Sequence, residues 1–363
     1  MHHRTKALRL GALTLGGGAP VRVQSMTKTD TRDVAATLAQ IRKLALVGCE
    51  LVRLAVPDDR AAAALPAIRA GTHMPLIADI HFDYRLAIAA MDAGFEGIRI
   101  NPGNIGGRTA LLNVVACAKS HKAVIRVGVN SGSVEKQLLA KYDGPTPRAM
   151  VESALNHIHM LEDMGFEDMK VSIKSSNVLA TVESYRLLHA QCSYPLHIGV
   201  TEAGTRMRGT VKSAVGLGML LAEGIGDTIR VSLTQDPVEE VAVAYEILRA
   251  VNVRHRGPEI ISCPTCGRTE IDLFALAQAV EEAVAKTTLP LTIAVMGCVV
   301  NGPGEAKEAD LGIAGGKDKG IIFRKGQIVE TVRGQKALLA AFLKYLDQLV
   351  REQDALRGER EAL

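Results

Sequence analysis

The feature that most limits the fold of this sequence is an alternation of short strand-like runs with longer helical patterns between Val21 and about Val253. The strand-like runs are rich in Val and Ile, and the segments between them place apolar residues at three- and four-residue intervals. This alternation is typical of repeated βα units around a parallel sheet. The predicted strands cover eight ranges: 21–27, 50–56, 75–81, 97–103, 123–130, 169–176, 195–204 and 228–234.

Eight consecutive βα units indicate a closed barrel. Barrels of the (β/α)8 kind are usually about 250 residues long, and the alternating stretch approaches that length. An open doubly wound sheet is the alternative, which the number of strands disfavours. We therefore predict an α/β fold in which a (β/α)8 TIM barrel occupies residues 1–253 and binds the substrate.

The pattern changes after Val253. A polar, basic segment from Asn252 to Gly257 leads into a cysteine-containing run, a helical stretch at 269–288, further short strands and a final helix from about residue 335. A unit of this size can fold independently. We predict a small α+β domain at 254–363.

Composition excludes several classes of protein. Aromatic residues make up 3% of the chain with no Trp, and the net charge of +4 comes without long basic runs, so we expect no nucleic-acid partner. No apolar stretch reaches the roughly 18 residues of a membrane span, and the first residues lack a signal-peptide core. We therefore expect a cytoplasmic protein without membrane association. Six cysteines in 363 residues also differ from a secreted disulfide framework.

Five of the predicted barrel strands carry a cation directly after Val or Ile. A cation among apolar neighbours is costly to bury unless an anion meets it, although an outward salt bridge is the alternative for any single one. Together they predict a ring of positive charge at the active-site end of the barrel. Because guanidinium groups bind phosphate oxygens in a bidentate manner, we expect a ligand with at least two phosphate groups. The cations are Arg53, Arg99, Arg126, Lys174 and Arg230.

Other polar side chains stand where the predicted strands end, which is where barrel enzymes place catalytic groups. Asp79 and Glu202 are the acids that we weigh for proton transfer or for binding a substrate hydroxyl. For each polar residue, a helix cap or a satisfied loop side chain is the alternative. The residues at the strand ends are Asp79, His81, Asn101, Asn130, Ser175, Ser176, Thr201, Glu202 and Ser232.

Three thiols in the second domain form the pattern of a metal site. CPTCG supplies Cys263 and Cys266, and the glycine-rich run GCVVNGPGEA supplies Cys298, each at the end of a strand-like run. Such thiolates commonly hold iron–sulfur clusters. A closed zinc site lacks a fourth thiol or imidazole here, and Glu305 is the nearest oxygen donor. A weak fourth ligand can exchange for substrate, which indicates catalysis; an electron-transfer module and a structural zinc knuckle are the alternatives.

Nearly the whole chain resembles the bacterial 4-hydroxy-3-methylbut-2-enyl diphosphate synthases, the iron–sulfur enzymes of the methylerythritol phosphate route to isoprenoids. A CxxC motif alone is not specific, but the set of motifs is. The motifs that carry the resemblance are CPTCGR, GCVVNGPGEA, VQSMT, ADIHF, IRINPGN, IRVGVNSGS, SIKSS, TEAG and GIGDTIRVSLT.

The resemblance implies a reaction, a cofactor and partners. The reaction is the reductive ring opening of 2-C-methyl-D-erythritol 2,4-cyclodiphosphate to 4-hydroxy-3-methylbut-2-enyl diphosphate, with two electrons delivered through a [4Fe-4S] cluster. The implied electron donor is flavodoxin or ferredoxin, and the implied assembly is a homodimer in which the cluster domain of one subunit closes over the barrel of its partner. Two rival functions are a cluster-containing electron carrier and a pterin-type barrel transferase with a structural metal site.

The resemblance also implies roles for individual residues. The implied cluster ligands are Cys263, Cys266, Cys298 and Glu305, of which Glu305 is also catalytic because it leaves the iron to substrate. Asp79 and Glu202 are the other implied catalytic residues. One departure is Lys28, where the similar enzymes usually carry Asn, and we leave it out of the site. The implied substrate-binding residues are Arg53, His81, Arg99, Asn101, Arg126, Asn130, Lys174, Thr201, Arg230 and Ser232.

Overall fold

The computed structural model describes residues 5–269, 271–285, 287–298, 304, 306–317 and 319–361. The chain divides into two compact units, Met1–Arg254 and His255–Leu363. In the described ranges, no helix has the length and apolar character that crossing a bilayer requires.

The first unit is a ring of eight parallel strands, which confirms the predicted barrel. Seven neighbour pairs are hydrogen-bonded as strands, and a parallel bridge between Val171 and Leu196 joins the two ends of the sheet. The strands are β3 (Arg22–Met26), β4 (Leu51–Ala55), β5 (Leu76–Asp79), β6 (Gly97–Ile100), β7 (Val124–Asn130), β8 (Met169–Lys174), β9 (His197–Ile198) and β10 (Thr228–Ile229), in the order β8-β7-β6-β5-β4-β3-β10-β9.

Helices follow the strands and cover the outside of the barrel. Several begin at an Asp, Thr or Asn whose side chain accepts a hydrogen bond from a backbone N–H of the first turn, as helix N-caps do. Their apolar faces pack against Val and Ile of the strands in one continuous core. These helices are α1 (Val34–Leu46), α2 (Asp59–Ala70), α3 (Tyr84–Asp92), α4 (Gly107–His121), α5 (Lys136–Tyr142), α6 (Pro147–Glu162), α7 (Val178–His189), α8 (Arg206–Ala222) and α9 (Pro237–Ala250).

A short hairpin that the sequence did not predict precedes the barrel. Its antiparallel strands β1 (Leu8–Leu10) and β2 (Leu13–Leu15) bury leucines against Leu51, Ile77 and Val124. Those three residues lie at or near the first positions of β4, β5 and β7. The hairpin therefore closes the amino-terminal end of the barrel with apolar side chains.

Among its described residues, the second unit has a five-stranded mixed sheet and two helices of several turns, the α+β arrangement that was predicted. Its first three strands are parallel and its last two are antiparallel to their neighbours. Both helices pack against this sheet through buried Leu, Val and Phe. The strands, in spatial order, are β11 (Glu259–Ser262), β12 (Thr292–Met296), β13 (Leu311–Ala314), β14 (Gly320–Arg324) and β15 (Gln327–Val332), and the helices are α10 (Leu273–Val284) and α11 (Gln335–Glu361).

Candidate functional site

The period of the barrel strands explains why cations line the barrel interior. In β6 and β7, the isoleucines and Val127 belong to the core between strands and helices. Because side chains alternate along a strand, the intervening Arg99 and Arg126 project inward. Asp79 and Arg99 are Cα partners across β5 and β6, and Arg99 and Arg126 are partners across β6 and β7. The structure thus places these three residues side by side.

Asp79 is a buried carboxylate held between cations. Nη1 of Arg99 donates to its Oδ1 over 3.2 Å, Nε of Arg53 lies 3.6 Å from Oδ2, and Nε2 of His81 lies 3.8 Å from Oδ2. Burial opposes ionisation, but the charge of Arg53, the nearby ring of His81 and the charge of Arg99 outweigh it and hold the pKa of Asp79 far below its usual range. An acid that stays ionised is a poor proton donor. The geometry therefore favours hydroxyl binding over proton donation for Asp79.

The barrel interior carries more positive than negative charge. Arg126 is 2% exposed, Lys170 is 1% exposed and Lys174 is 6% exposed. Burial and the neighbouring cations lower the pKa of all three side chains. Within the part of the chain that the structure describes, Nε and Nη1 of Arg126 and Nζ of Lys170 have no hydrogen-bond partner. Buried donors without acceptors are costly, so this set of cations is suited to a bound polyanion.

Two glycines make room for this crowded set of cations. A Cβ on Gly128 in β7 would lie 2.6 Å from Nε of Arg99. A Cβ on Gly199, just after β9, would lie 2.8 Å from Nζ of Lys174. The same Cβ on Gly199 would lie 2.6 Å from the backbone oxygen of Arg230. A side chain at Gly128 would displace Arg99, and one at Gly199 would also meet backbone that cannot move aside easily.

Glu240 organises the other side of the barrel mouth. This buried residue of α9 lies 3.6 Å from Nη2 of Arg230, 3.1 Å from Nζ of Lys28 and 3.2 Å from the hydroxyl of Ser25. Its Oε1 also accepts from the backbone N–H of Leu233. Lys28 in addition donates to the carbonyl oxygens of Leu233 and Gln235. The protein itself thus engages the ammonium of Lys28.

The remaining predicted residues lie at the carboxyl ends of the strands. Asn101 is buried and its Oδ1 accepts from the N–H of Gly103, while its Nδ2 has no partner among the described residues. Glu202 is exposed and has a φ of 50°, a left-handed conformation that is uncommon for Glu. The other residues range from half-buried to exposed: His81, Asn130, Thr201 and Ser232.

Among the residues that sequence reasoning missed are Lys170 and His197 in the barrel interior and Glu240 at the barrel mouth. Lys170 lies four positions before Lys174 on β8 and is the Cα partner of Arg126, so continuing the two-residue period would have found it. His197 begins β9 and is fully buried. Glu240 gave no such signal, because it belongs to a helix whose pattern predicts only an apolar face.

In the second unit, two of the three thiols follow neighbouring parallel strands. Cys263 comes directly after β11, and its N–H donates to the carbonyl oxygen of Val295 in β12. Cys298 comes two residues after β12, and the N–H of Gly297 donates to Sγ of Cys263 over 3.2 Å. The carboxyl ends of parallel strands meet at one sheet edge, so Cys263 and the backbone that carries Cys298 lie together.

The thiol set fits an iron–sulfur cluster. Cys263, Cys266 and Cys298 are free thiols, and none is fully buried. Nε of Arg268 donates to Sγ of Cys266 over 3.5 Å, which adds a second N–H···S contact to that from Gly297. Such donors stabilise thiolate ligands and tune cluster potentials. The predicted fourth ligand, Glu305, lies outside the described residues.

Comparison with known proteins gives matches to both units. Residues 5–245 match the GcpE TIM-barrel domain, and residues 259–348 match the GcpE protein C-terminal domain. The chain is 63% identical to the 4-hydroxy-3-methylbut-2-en-1-yl diphosphate synthase (flavodoxin) of Lawsonia intracellularis, over 96% of this chain and 97% of that protein. It is 62% identical to the protein of the same name from Nitratidesulfovibrio vulgaris, over 98% of this chain and 92% of that protein.

A solved structure shares the fold. The N-acetylneuraminic acid synthetase of Leptospira borgpetersenii serovar Hardjo-bovis, solved in complex with citrate, aligns with a TM-score of 0.51 and 11% identity, covering 78% of this chain and 98% of that one. At this identity the likeness concerns the fold alone. The two domain matches and the highly identical relatives carry the assignment, and the chain belongs to the GcpE family.

Proposed function

We propose that this chain catalyses the reductive ring opening and dehydroxylation of 2-C-methyl-D-erythritol 2,4-cyclodiphosphate to 4-hydroxy-3-methylbut-2-enyl diphosphate. Relatives at 63% and 62% identity bear the name of that synthase. The observation that carries the proposal is the surplus of buried cations in the barrel, where Arg126 and Lys170 have donors without acceptors among the described residues. A compact diphosphate would supply the missing acceptors and the missing negative charge.

The barrel residues bind and orient the substrate in this proposal. Arg126, Lys174 and their neighbours hold the two phosphates and offset their charge, which weakens the bond between carbon and the leaving phosphate oxygen while the anion stays bound. Asp79 keeps Arg53 and Arg99 in place and accepts a hydrogen bond from a substrate hydroxyl. Glu202, at the strained loop after β9, is the acid available for proton transfer. The other proposed contacts are His81, Asn101, Asn130, Thr201, Arg230 and Ser232.

The second unit supplies the redox group. Cys263, Cys266, Cys298 and Glu305 would hold a [4Fe-4S] cluster, whose chemistry when bound is to deliver the two electrons that the reaction consumes. The N–H groups of Gly297 and Arg268 offset thiolate charge at Cys263 and Cys266. Residues 1–253 are then the substrate-binding domain and residues 254–363 the cluster domain.

The proposal extends to partners and location. Flavodoxin is the proposed electron donor because the names of the relatives include it, and ferredoxin is the alternative. The proposed assembly is a homodimer in which one subunit's cluster domain closes over the partner's barrel. The proposed location is the cytoplasm, where the reducing environment suits the thiols.

One assay tests the whole proposal. The protein, purified without oxygen, is mixed with the cyclic diphosphate and reduced methyl viologen, and the linear diphosphate is measured together with iron and sulfide content. We expect turnover and a cluster. A cluster without turnover favours the electron carrier, whereas binding of the diphosphate by a protein that never takes up iron or sulfide favours the barrel transferase.

A further inference from the structure

His197 stands in a chain of polar contacts inside the barrel wall. It is 0% exposed, as is Thr228, and its Cα partner in β10 is Thr228. Nε2 of His197 lies 3.3 Å from Nζ of Lys174, and its Nδ1 lies 2.8 Å from Oγ1 of Thr228. The contacts Lys174–His197–Thr228 therefore cross from β8 through β9 to β10.

The contacts determine the tautomer of His197 when Lys174 is charged. An ammonium group has only donors, so Nε2 is then the acceptor for Lys174 and the ring proton lies on Nδ1. Nδ1–H then donates to the hydroxyl of Thr228. The imidazole is neutral in this arrangement, since a protonated ring would turn an N–H toward the ammonium.

The surroundings of His197 keep its ring neutral. Burial is the largest cause, and the charges of Lys174, Arg126, Lys170 and Arg53 add to it, so the pKa of His197 lies well below its ordinary value. The buried ring therefore favours its neutral form, in which one ring nitrogen can accept a hydrogen bond.

Lys174 needs such an acceptor to remain charged. Burial and the charges of Arg126, Arg230, Arg53 and Arg99 all lower the pKa of its ammonium. A carboxylate partner would hold the proton on Lys174 but would also cancel its charge. A neutral imidazole holds the proton through a hydrogen bond and leaves the positive charge available to an anion.

We propose that His197 is a positioning residue that keeps Lys174 protonated and in place for a substrate phosphate, with Thr228 fixing the tautomer of the ring. This inference rests on the proposed function, in which Lys174 binds one of the two phosphates. It adds to that function two residues that themselves contact no substrate.

The test compares variants that keep or remove the acceptor. His197→Gln places an amide oxygen near the position of Nε2, whereas His197→Phe fills a similar volume without an acceptor. Binding of inorganic pyrophosphate to the holoenzyme is measured by calorimetry between pH 6 and pH 9. We expect the Phe variant to bind roughly ten- to a hundredfold more weakly and the Gln variant to stay within about threefold of the native protein.

The pH dependence of pyrophosphate affinity distinguishes the proposed role from a purely structural one, which would leave that dependence unchanged. With its acceptor removed, Lys174 loses its proton at lower pH, so pyrophosphate affinity of the Phe variant should decline at lower pH than in the native protein. The KM for the cyclic diphosphate should rise more than kcat falls. Thr228→Val should show a smaller shift in the same direction, and it provides the test if the Phe variant does not fold.

Several results would overturn the proposal. Equal weakening in the Gln and Phe variants would mean that an acceptor at this position does not account for the loss, and an unshifted pH dependence in both the Phe and Val variants would mean that His197 does not hold the proton on Lys174. Native affinity in the Phe variant would mean that His197 only fills space. Because pyrophosphate binding does not depend on turnover, a native protein that binds pyrophosphate but does not convert the cyclic diphosphate would overturn the proposed function alone.

Discussion

At the scale of single residues, Asp79 matters because it is the carboxylate between the inward-facing guanidinium groups of Arg53 and Arg99. We expect Asp79→Asn to lower the free energy of unfolding by about 1–3 kcal/mol at pH 7, because the two buried cations lose their compensating charge. Urea denaturation followed by circular dichroism measures this loss.

The same variant should also change the dependence of stability on pH. The folded-state pKa of Asp79 is depressed, so its contribution is fully present above the unfolded-state pKa and is lost as pH falls toward the folded-state pKa. The stability difference between native protein and variant should therefore shrink as the pH falls from about 5 to about 3. A constant difference over that range would contradict a role for the ionised carboxylate.

Gly128 also matters at the scale of single residues, because the absence of a side chain at this position leaves space for the guanidinium of Arg99. Gly128→Ala puts a Cβ 2.6 Å from Nε of Arg99, so the guanidinium must shift. We expect pyrophosphate to bind about tenfold more weakly, a loss comparable to one charge-assisted hydrogen bond. Gly132→Ala is the matched control, since no atom lies within 4 Å of the added Cβ. Equal affinity in both variants would show that Arg99 adapts without loss.

At the scale of elements, the amino-terminal hairpin closes one end of the barrel with apolar side chains, whereas the polar side chains lie at the other end. Leu10 is fully buried against residues of the barrel strands, whereas its neighbour Arg9 is exposed. We expect Leu10→Ala to lower the free energy of unfolding by about 2–5 kcal/mol through a cavity beneath the barrel. Arg9→Ala should change it by less than about 0.5 kcal/mol. Similar denaturation midpoints for the two variants would mean that the hairpin is not part of the core.

The elements of the barrel could be predicted because their periodicity is strong, and the exceptions have physical reasons. The hairpin strands are three residues each, too short for a recognisable period. Within the predicted strands at 195–204 and 228–234, the structure assigns strands only at His197–Ile198 and Thr228–Ile229, and Leu196 adds a single bridge to Val171. The residues after them lie outside the assigned strands, and these include the polar residues Thr201, Glu202 and Ser232.

The part of the candidate site that could be predicted consists of residues at every second position of the strands, which face the barrel interior. Arg53, Arg99 and Arg126 stand at inward positions because their apolar neighbours face the helices. The contacts of Glu240 could not be predicted, since they depend on how α9 packs against β3 and β10. The role of His197 depends on a partner one strand away, which a single sequence does not reveal.

At the scale of the whole molecule, the proposed anion-binding residues and the proposed cluster ligands belong to different compact units. We therefore expect Arg126→Ala to weaken pyrophosphate binding by roughly tenfold or more while leaving iron content unchanged. Cys298→Ser should lose most of its iron and still bind pyrophosphate. Calorimetry and iron analysis on both variants check this, and loss of iron in the Arg126 variant would instead indicate misfolding.

These two variants also test the proposed homodimer. If each active site combines one subunit's barrel with its partner's cluster domain, a mixed dimer of Arg126→Ala and Cys298→Ser subunits contains one site in which both parts are intact. Random exchange makes half of the dimers mixed, and one of the two sites in each is complete, so activity should reach about a quarter of the native value. The measurement is turnover of the cyclic diphosphate after subunit exchange at equal concentrations.

The alternative geometry predicts a different number. If a subunit's own cluster domain serves its own barrel, every site in a mixed dimer lacks either Arg126 or Cys298, and mixing restores nothing. Double-variant subunits carrying both substitutions, mixed with native protein, provide the control. In the alternative geometry, each mixed dimer then has one site that lacks both Arg126 and Cys298 and one intact site. In the proposed geometry, one site of each mixed dimer lacks Arg126 and the other lacks Cys298, so both sites are inactive. Activity should therefore fall to about a quarter in the proposed arrangement and to about half in the alternative.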